Sequence, residues 1–194
     1  MINNFDLIRP LLTFDTPGSF YFVQIFKRRK DNPGMKKDMI VLDNLFLHSA
    51  DKYNESFDRI ATLCHAENAR AYIRLNVRNT KKVAMQMLKL TTELIISENY
   101  KPLKGVYTSA CGDCDSSEDK TWIVDLDTKD KCYVESVIAL IGTLPPLDKE
   151  KLVAQIPSKN GYHLITRPFH LQRFRAIFPS IDVHKDNPTL LYAP

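Results

Sequence analysis

What this sequence lacks narrows it first. No run approaches the roughly 20 apolar residues that span a bilayer, and residues 1–6 carry neither a basic stretch nor an apolar core of a secretion signal. No membrane role is expected. The four cysteines are expected as reduced thiols in a cytoplasm. Glycine is scarce, six in 194 residues, and no G-x-x-x-x-G-K-[ST] loop occurs, so a P-loop motor is excluded. Cys111-Gly112-Asp113-Cys114 is the only Cys-x-x-Cys in the chain. A structural zinc needs four ligands, and Cys64, His65, Cys132 or His170 would have to be recruited from afar. Zinc is therefore not expected, and the segment reads as a polar loop. There is no internal repeat and no low-complexity stretch.

What is present describes an ordinary folded chain. It is 44% apolar and 26% charged, enough for one domain with its own core. The net charge of +4 is too mild to identify a partner, but its distribution is uneven. Lys27, Arg28, Arg29 and Lys30 form a basic run, followed by Lys36 and Lys37. Asp113, Asp115, Glu118, Asp119, Asp125, Asp127 and Asp130 form an acidic stretch. Cations beside a carboxylate cluster suit phosphate binding next to a metal. Two solvated loops explain the basic run equally well.

Periodicity gives the elements. Residues 20–27 read as a strand and residues 30–34 as a turn. Phe57, Ile60, Ala61 and Cys64 mark a helix. Residues 71–78 alternate, with Ile73, Leu75 and Val77 on one face and Tyr72, Arg74, Asn76 and Arg78 on the other, the pattern of a half-buried strand. Asn79 and Thr80 can cap a helix whose stripe is Val83, Met87, Leu90 and Leu94. Further on come a strand at 122–127, a helix through Val134, Val137, Ile138 and Ile141, strands at 152–156 and 162–166 around a 159–161 turn, and a short helix at 171–178. A last strand begins at 181–183, and residues 190–192 can extend it. The expected fold class is α+β. A β-α-β-β-α-β core at about 120–194, ferredoxin-like or RRM-like, packs with an N-terminal α/β module at 1–119, together one domain.

Three features carry possible chemistry. Asp125 and Asp127 are two apart on a strand and so share a face. Two adjacent carboxylates are costly to bury without a cation, and hard oxygen donors suit Mg²⁺ or Mn²⁺. Next, residues 157–163 form a glycine-bearing turn. Ser158 offers a hydroxyl, Lys159 a cation, Gly161 close backbone approach, and His163 a donor for phosphate. Finally, Asp182 is an acid between apolar neighbours on a strand, with His184 on the same face and Asp186 as the fallback acid. Each feature alone has a plain structural explanation. The topology places Asp125, Asp127, His163 and Asp182 on one sheet face. The polar face of 71–78 adds Arg74 and Arg78 as candidate contacts for a nucleotide.

Together the three features resemble the motifs of the archaeo-eukaryotic primase superfamily, which includes primase-polymerases. Residues 122–127 resemble its apolar strand ending in D-x-D, residues 161–163 its small-x-His motif, and Ile181-Asp182 its later acid. The resemblance covers 120–194 by motif and 1–119 only by general form. It implies a metal-dependent nucleotidyltransferase acting on DNA or RNA with nucleoside triphosphates. Asp125, Asp127 and Asp182 would hold two Mg²⁺ or Mn²⁺ ions, and His163 would contact the nucleotide's phosphates. Ser158, Lys159, Gly161 and Arg167 would be accessory nucleotide contacts. Template, primer and a separate helicase are the implied partners, and a phage or mobile-element replication gene the implied setting. Three alternatives stay open: a non-catalytic RRM-like nucleic-acid-binding module, a degenerate primase fold, and a metal-dependent nuclease or nucleotide cyclase.

Overall fold

Two stretches with apolar residues on both faces decide how this chain is layered. The computed structural model describes residues 1–114 and 119–194. Asp115 and Glu118 of the acidic stretch lie outside the described residues. β1 (Ile2–Asn3) and the single turn α1 (Phe5–Ile8) lead to β2 (Ser19–Arg28). Tyr21, Val23 and Ile25 of β2 enter the main core, while Phe20 and Phe22 enter a second cluster on the opposite face. A strand buried on both sides belongs inside a sheet. β2 accordingly lies between β3 (Met39–Leu47) and β4 (Arg70–Ile73).

α2 (Ala50–Glu67) connects β3 to β4. Ser49 caps it by accepting from the Lys52 amide, and Asn68 ends it in the left-handed region at φ 44°. Its buried side is Tyr53, Ser56, Ile60 and Cys64, with Phe57 and Ala61 packed alongside. That is the expected stripe extended one turn toward the N-terminus.

The expected single strand at 71–78 is instead interrupted. β4 stops at Ile73, and a two-residue β5 (Arg78–Asn79) pairs with the start of β2. The intervening polar side chains explain the break. The Asn76 amide donates to the Thr121 and Lys185 carbonyls, and its oxygen accepts from the Thr121 amide. The polar face of the alternation is a largely buried network, with Asn76 and Arg78 both buried. Asn79 then caps α3 (Thr80–Ile96) through the Lys82 amide, as expected. α4 (Val106–Asp113) follows, and Cys111 is fully buried in its last turn. The Cys-x-x-Cys segment is thus the end of a helix packed into the core rather than a polar loop.

β6 (Trp122–Leu126), α5 (Lys131–Thr143), β7 (Leu152–Pro157), β8 (Tyr162–Thr166), α6 (Leu171–Ile177) and β9 (Asp182–His184) build a second sheet in the order β7-β8-β6-β9, every neighbour antiparallel. Asp130 caps α5 by accepting from the Cys132 and Tyr133 amides. Val134, Val137 and Ile141 of α5 and Phe174 of α6 pack on Val124, Leu126 and Leu164. Burying each such side chain stabilises by about 1.5–3 kcal/mol. Ile123, Ile156 and Ile165 point the other way, into the core shared with the first sheet.

The end of the chain departs from expectation. Residues 190–192 do not extend β9. They belong to β10 (Thr189–Ala193), which lies between β1 and β4 in the first sheet. All five β10 residues are buried, so they need a two-sided position that the edge strand β9 cannot offer. The fold is mixed α+β, with two antiparallel sheets and six α-helices among the described residues. No helix among them is long and apolar enough to cross a membrane.

Candidate functional site

Strand register brings the central residues together. Asp125 of β6 pairs with His163 of β8 on one side and with Asp182 of β9 on the other. Directly paired residues on antiparallel strands project from the same face, so Asp182, Asp125 and His163 form one row across three strands. Asp127 follows Leu126, the last residue of β6, and borders the same hollow as Asp125 and Asp182. His184 pairs with Ile123 one step back. The helices occupy the opposite face, which leaves the row open toward the first sheet.

The row opens into two adjoining hollows. Asp125, Asp127 and Asp182 line a cavity of about 380 Å³ with Thr128 and Tyr133. Asp125 and His163 also line a cleft of about 390 Å³ between the sheets, together with His184 and, from the first sheet, Arg28, Phe26 and Tyr72. Phe26 and Tyr72 stack there with ring centroids 4.8 Å apart. Asp182 and Asp127 are exposed and Asp125 half-buried. Among the described residues, no three His, Cys, Asp or Glu side chains are gathered at metal-coordinating spacing.

His163 is held from both ring nitrogens. Nδ1 lies 2.8 Å from the Thr189 hydroxyl and Nε2 lies 3.5 Å from Asp125 Oδ1. Burial depresses the imidazole below its ordinary value, and His184 adds to that effect. Asp125 and Asp127 oppose it without reversing it. The Thr189 hydroxyl meets Nδ1, while Nε2 faces the Asp125 carboxylate.

The basic run meets this face. Arg28 lines the cleft. Burial lowers the Lys30 ammonium, as do Arg28 and Arg70 beside it, while Asp31 and Asp127 act in the opposite direction. Lys30 is thus within electrostatic reach of Asp127. The run, read either as solvated loops or as a site for phosphate, lies at the end of the β2–β3 hairpin, where Arg28 and Lys30 approach the carboxylates while Lys27 pairs with Glu67 and Arg29 with Asp38.

The remaining sequence candidates divide. Ser158 and Gly161 form the β7–β8 turn at the end of the row: the Gly161 amide donates to Ser158 Oγ, and the Ser158 amide to the Gly161 carbonyl. A Cβ on Gly161 would stand 2.0 Å from the Leu126 carbonyl oxygen, so the glycine is required for the turn to sit against the exit of β6. Lys159 is engaged elsewhere. Its ammonium and Arg70 both donate to Asp31 Oδ1 at 2.6 Å, tying the two hairpins together. Arg167 follows Thr166, which pairs with Trp122 at the far end of β6, and it approaches Asp119 at 3.7 Å. Arg74 and Arg78 also lie off the row. Arg78 is fully buried, donates to both carboxylate oxygens of Asp186 and reaches the Cys111 and Gly112 carbonyls. Arg74 donates to the Asp186 carbonyl and approaches its carboxylate at 3.6 Å. Asp186, the fallback acid, is their counter-ion.

Thr189 is the contact that the sequence did not reveal. It reaches His163 from β10, a strand of the other sheet, and no local pattern announces that pairing. Arg28 and Lys30 were visible only as members of a basic run. No family model matches the chain, and neither a curated protein nor a solved structure does.

Proposed function

We propose that the chain is a metal-dependent nucleotidyltransferase of the primase or primase-polymerase type, joining nucleoside triphosphates on a DNA or RNA template. The observation that carries this reading is the row Asp182–Asp125–His163 across three adjacent strands, with Asp127 beside it and the basic hairpin tip opposite. The strand order β7-β8-β6-β9 with both helices on one face is compatible with a split βαβ, ferredoxin-like core. It supports the RRM-like core that the resemblance implies. The three acids are hard oxygen donors around one open cavity, a donor set suited to Mg²⁺ or Mn²⁺.

In this reading Asp125, Asp127 and Asp182 hold the ions. Divalent ions held there would supply charge neutralisation for a triphosphate and Lewis acidity toward an attacking hydroxyl. His163, held by Thr189 at Nδ1 and facing Asp125 at Nε2, would stand beside the nucleotide's phosphates. Arg28 and Lys30 balance the remaining charge from the opposite sheet. The chain's own work is positioning and charge complementarity rather than covalent catalysis.

One observation favours the alternative of a non-catalytic or degenerate module. The three acid side chains are not gathered at coordinating spacing. Its two central strands, however, turn Ile123, Asp125, His163 and Ile165 to the face where RNA-binding modules of this shape present stacking aromatics. The deciding experiment titrates Mn²⁺ with a nucleoside triphosphate into the wild type and Asp125→Ala by calorimetry, followed by primer extension. Metal-dependent binding that disappears in the variant is the expected result. An Asp125→Ala, Asp127→Ala double variant that still extends primers would sink the assignment. Nucleic-acid binding that needs no metal and survives both substitutions would install the alternative.

A further inference from the structure

α3 is apolar on two opposite sides. Val83 is buried, and Met87 and Leu90 pack beside it against the Phe20–Phe22 cluster. At about 100° per residue, Lys81, Met85, Leu88, Thr92 and Ile95 form a second stripe on the outward side, with Ile96 at its border. Met85 is 62% exposed, Leu88 64%, Ile95 53% and Ile96 78%. Tyr100 and Leu103, just beyond the helix, are exposed as well. Isolated exposed apolar residues need no explanation, but a continuous outward stripe marks an interface.

The charges on this helix run against its dipole. Lys81 and Lys82 stand in its first turn and Glu93 in its last, with Glu98 just beyond. The first turn holds no acid and the last turn no base. The helix dipole favours the reverse order, and within the helix Glu93 approaches Lys89 at 4.0 Å, both side chains being largely exposed. Lys82, Lys89 and Glu93 lie on the same flank of the apolar stripe.

We propose that this face docks a second copy of the chain, α3 against α3, antiparallel about a two-fold axis near Leu88. In such an arrangement each flank meets the same flank of its mate. Lys82 then faces Glu93 of the partner subunit, and the pairing occurs twice. The lysine-bearing N-terminal end of each helix covers the apolar C-terminal end of the other. Charge complementarity selects this occupant. An acidic partner helix or an anionic lipid surface would meet Lys81 and Lys82 favourably but would set Glu93 and Glu98 against like charge. A second copy satisfies both ends. The proposal is independent of the carboxylate row and its chemistry.

The test is sedimentation velocity on the full chain over a concentration series, with circular dichroism to confirm that each variant folds. The wild type is expected to dimerise reversibly in the micromolar range and Leu88→Glu to be monomeric. Lys82→Glu and Glu93→Lys, both at exposed positions, should each weaken the homodimer about tenfold, since two exposed pairs change from attraction to repulsion. Mixing these two variants should restore wild-type affinity, because both cross-pairs in the heterodimer are then of opposite sign. A wild type that stays monomeric, a dimer indifferent to Leu88→Glu, or a mixture no tighter than its components would overturn the proposal. A monomer that pellets with phosphatidylserine vesicles would assign the stripe to a membrane surface instead.

Discussion

Gly161→Ala tests whether the β7–β8 turn sits as close to the acid-bearing strand as described. The added Cβ would lie 2.0 Å from the Leu126 carbonyl oxygen and 2.6 Å from both the amide nitrogen and the carbonyl oxygen of Thr128. Ordinary carbon–oxygen approach is about 3.3–3.6 Å, so backbone must move by roughly an ångström on one side or the other. No flexible side chain is available to yield. Overpacking of a rigid site costs about 1–3 kcal/mol and sometimes more, and with backbone as the obstacle the upper end applies. For a chain of this length each kcal/mol moves Tm by about 2–4 °C. Gly161→Ala should therefore melt roughly 6–12 °C below the wild type. Gly142→Ala is the internal control. It meets nothing within 4 Å and lies in α5, so it should be neutral or stabilising by up to about 1 kcal/mol. Because Asp127 lies between the two residues that must move, Gly161→Ala should also weaken Mn²⁺–nucleotide binding, if the proposed function holds. Calorimetric melts of both variants decide the matter. A Gly161→Ala protein melting within a degree of the wild type would refute the close approach.

Three further outcomes follow from buried polar groups. Asp186→Ala strips the fully buried Arg78 of its carboxylate and should cost about 3–5 kcal/mol in urea unfolding; a loss under 1 kcal/mol would mean the guanidinium is not confined there. Burial would raise the Asp31 carboxyl, but the hydrogen bonds and charges of Lys159 and Arg70 outweigh it and leave the group below its ordinary value. A depressed carboxyl contributes stability that is complete above the ordinary Asp range and is lost as pH falls through its folded value. The wild type should therefore lose stability more steeply than Asp31→Asn below about pH 4, and parallel unfolding profiles for the two proteins would contradict the hairpin tie. Thr189→Val removes the hydroxyl partner of His163 Nδ1 and should cost about 1–3 kcal/mol, with a changed nitrogen shift for that ring in NMR; an unaltered ring signal would disprove the contact.

The second sheet was legible because its signals are local. The strand expected at 122–127 and found at Trp122–Leu126, the Val134–Val137–Ile141 stripe, the glycine turn and the Phe174 helix each state their own period, and a shared face for Asp125, His163 and Asp182 follows once the topology is assumed, though not their direct pairing. The first sheet was less legible. Residues 71–78 alternate as a half-buried strand does, yet their polar members are consumed by Asp186 and Thr121, which lie far along the chain. Alternation reports which residues share a face and not whether water or a buried counter-ion meets them. The partner of Lys159 was hidden for the same reason: a cation in a turn looks free until Asp31 arrives from another hairpin. Residues 190–192 looked like a continuation of β9 because proximity in sequence was the only guide. Their burial on both faces is a tertiary fact, set by a vacant position between β1 and β4.

That last strand changes how the candidate site is understood. The acids and His163 stand on the second sheet, whereas Arg28 and Lys30 stand on the first, so neither sheet holds the constellation by itself. β10 links the two sheets. It leaves β9 at the edge of the second sheet and enters the interior of the first, and its first residue, Thr189, holds His163 in place. Asn4 bridges the same joint by donating to the carbonyls of Pro157 in β7 and Leu190 in β10. Asp31 closes the opposite side through Lys159. Division of the chain near residue 120 would expose Ile123, Ile156 and Ile165 and strand β10 without its neighbours. The distance between the carboxylate row and the basic hairpin tip is thus set by contacts that also complete the core. A structure that fixes this spacing through its folding core need not rely on a flexible loop to bring cations to the carboxylates.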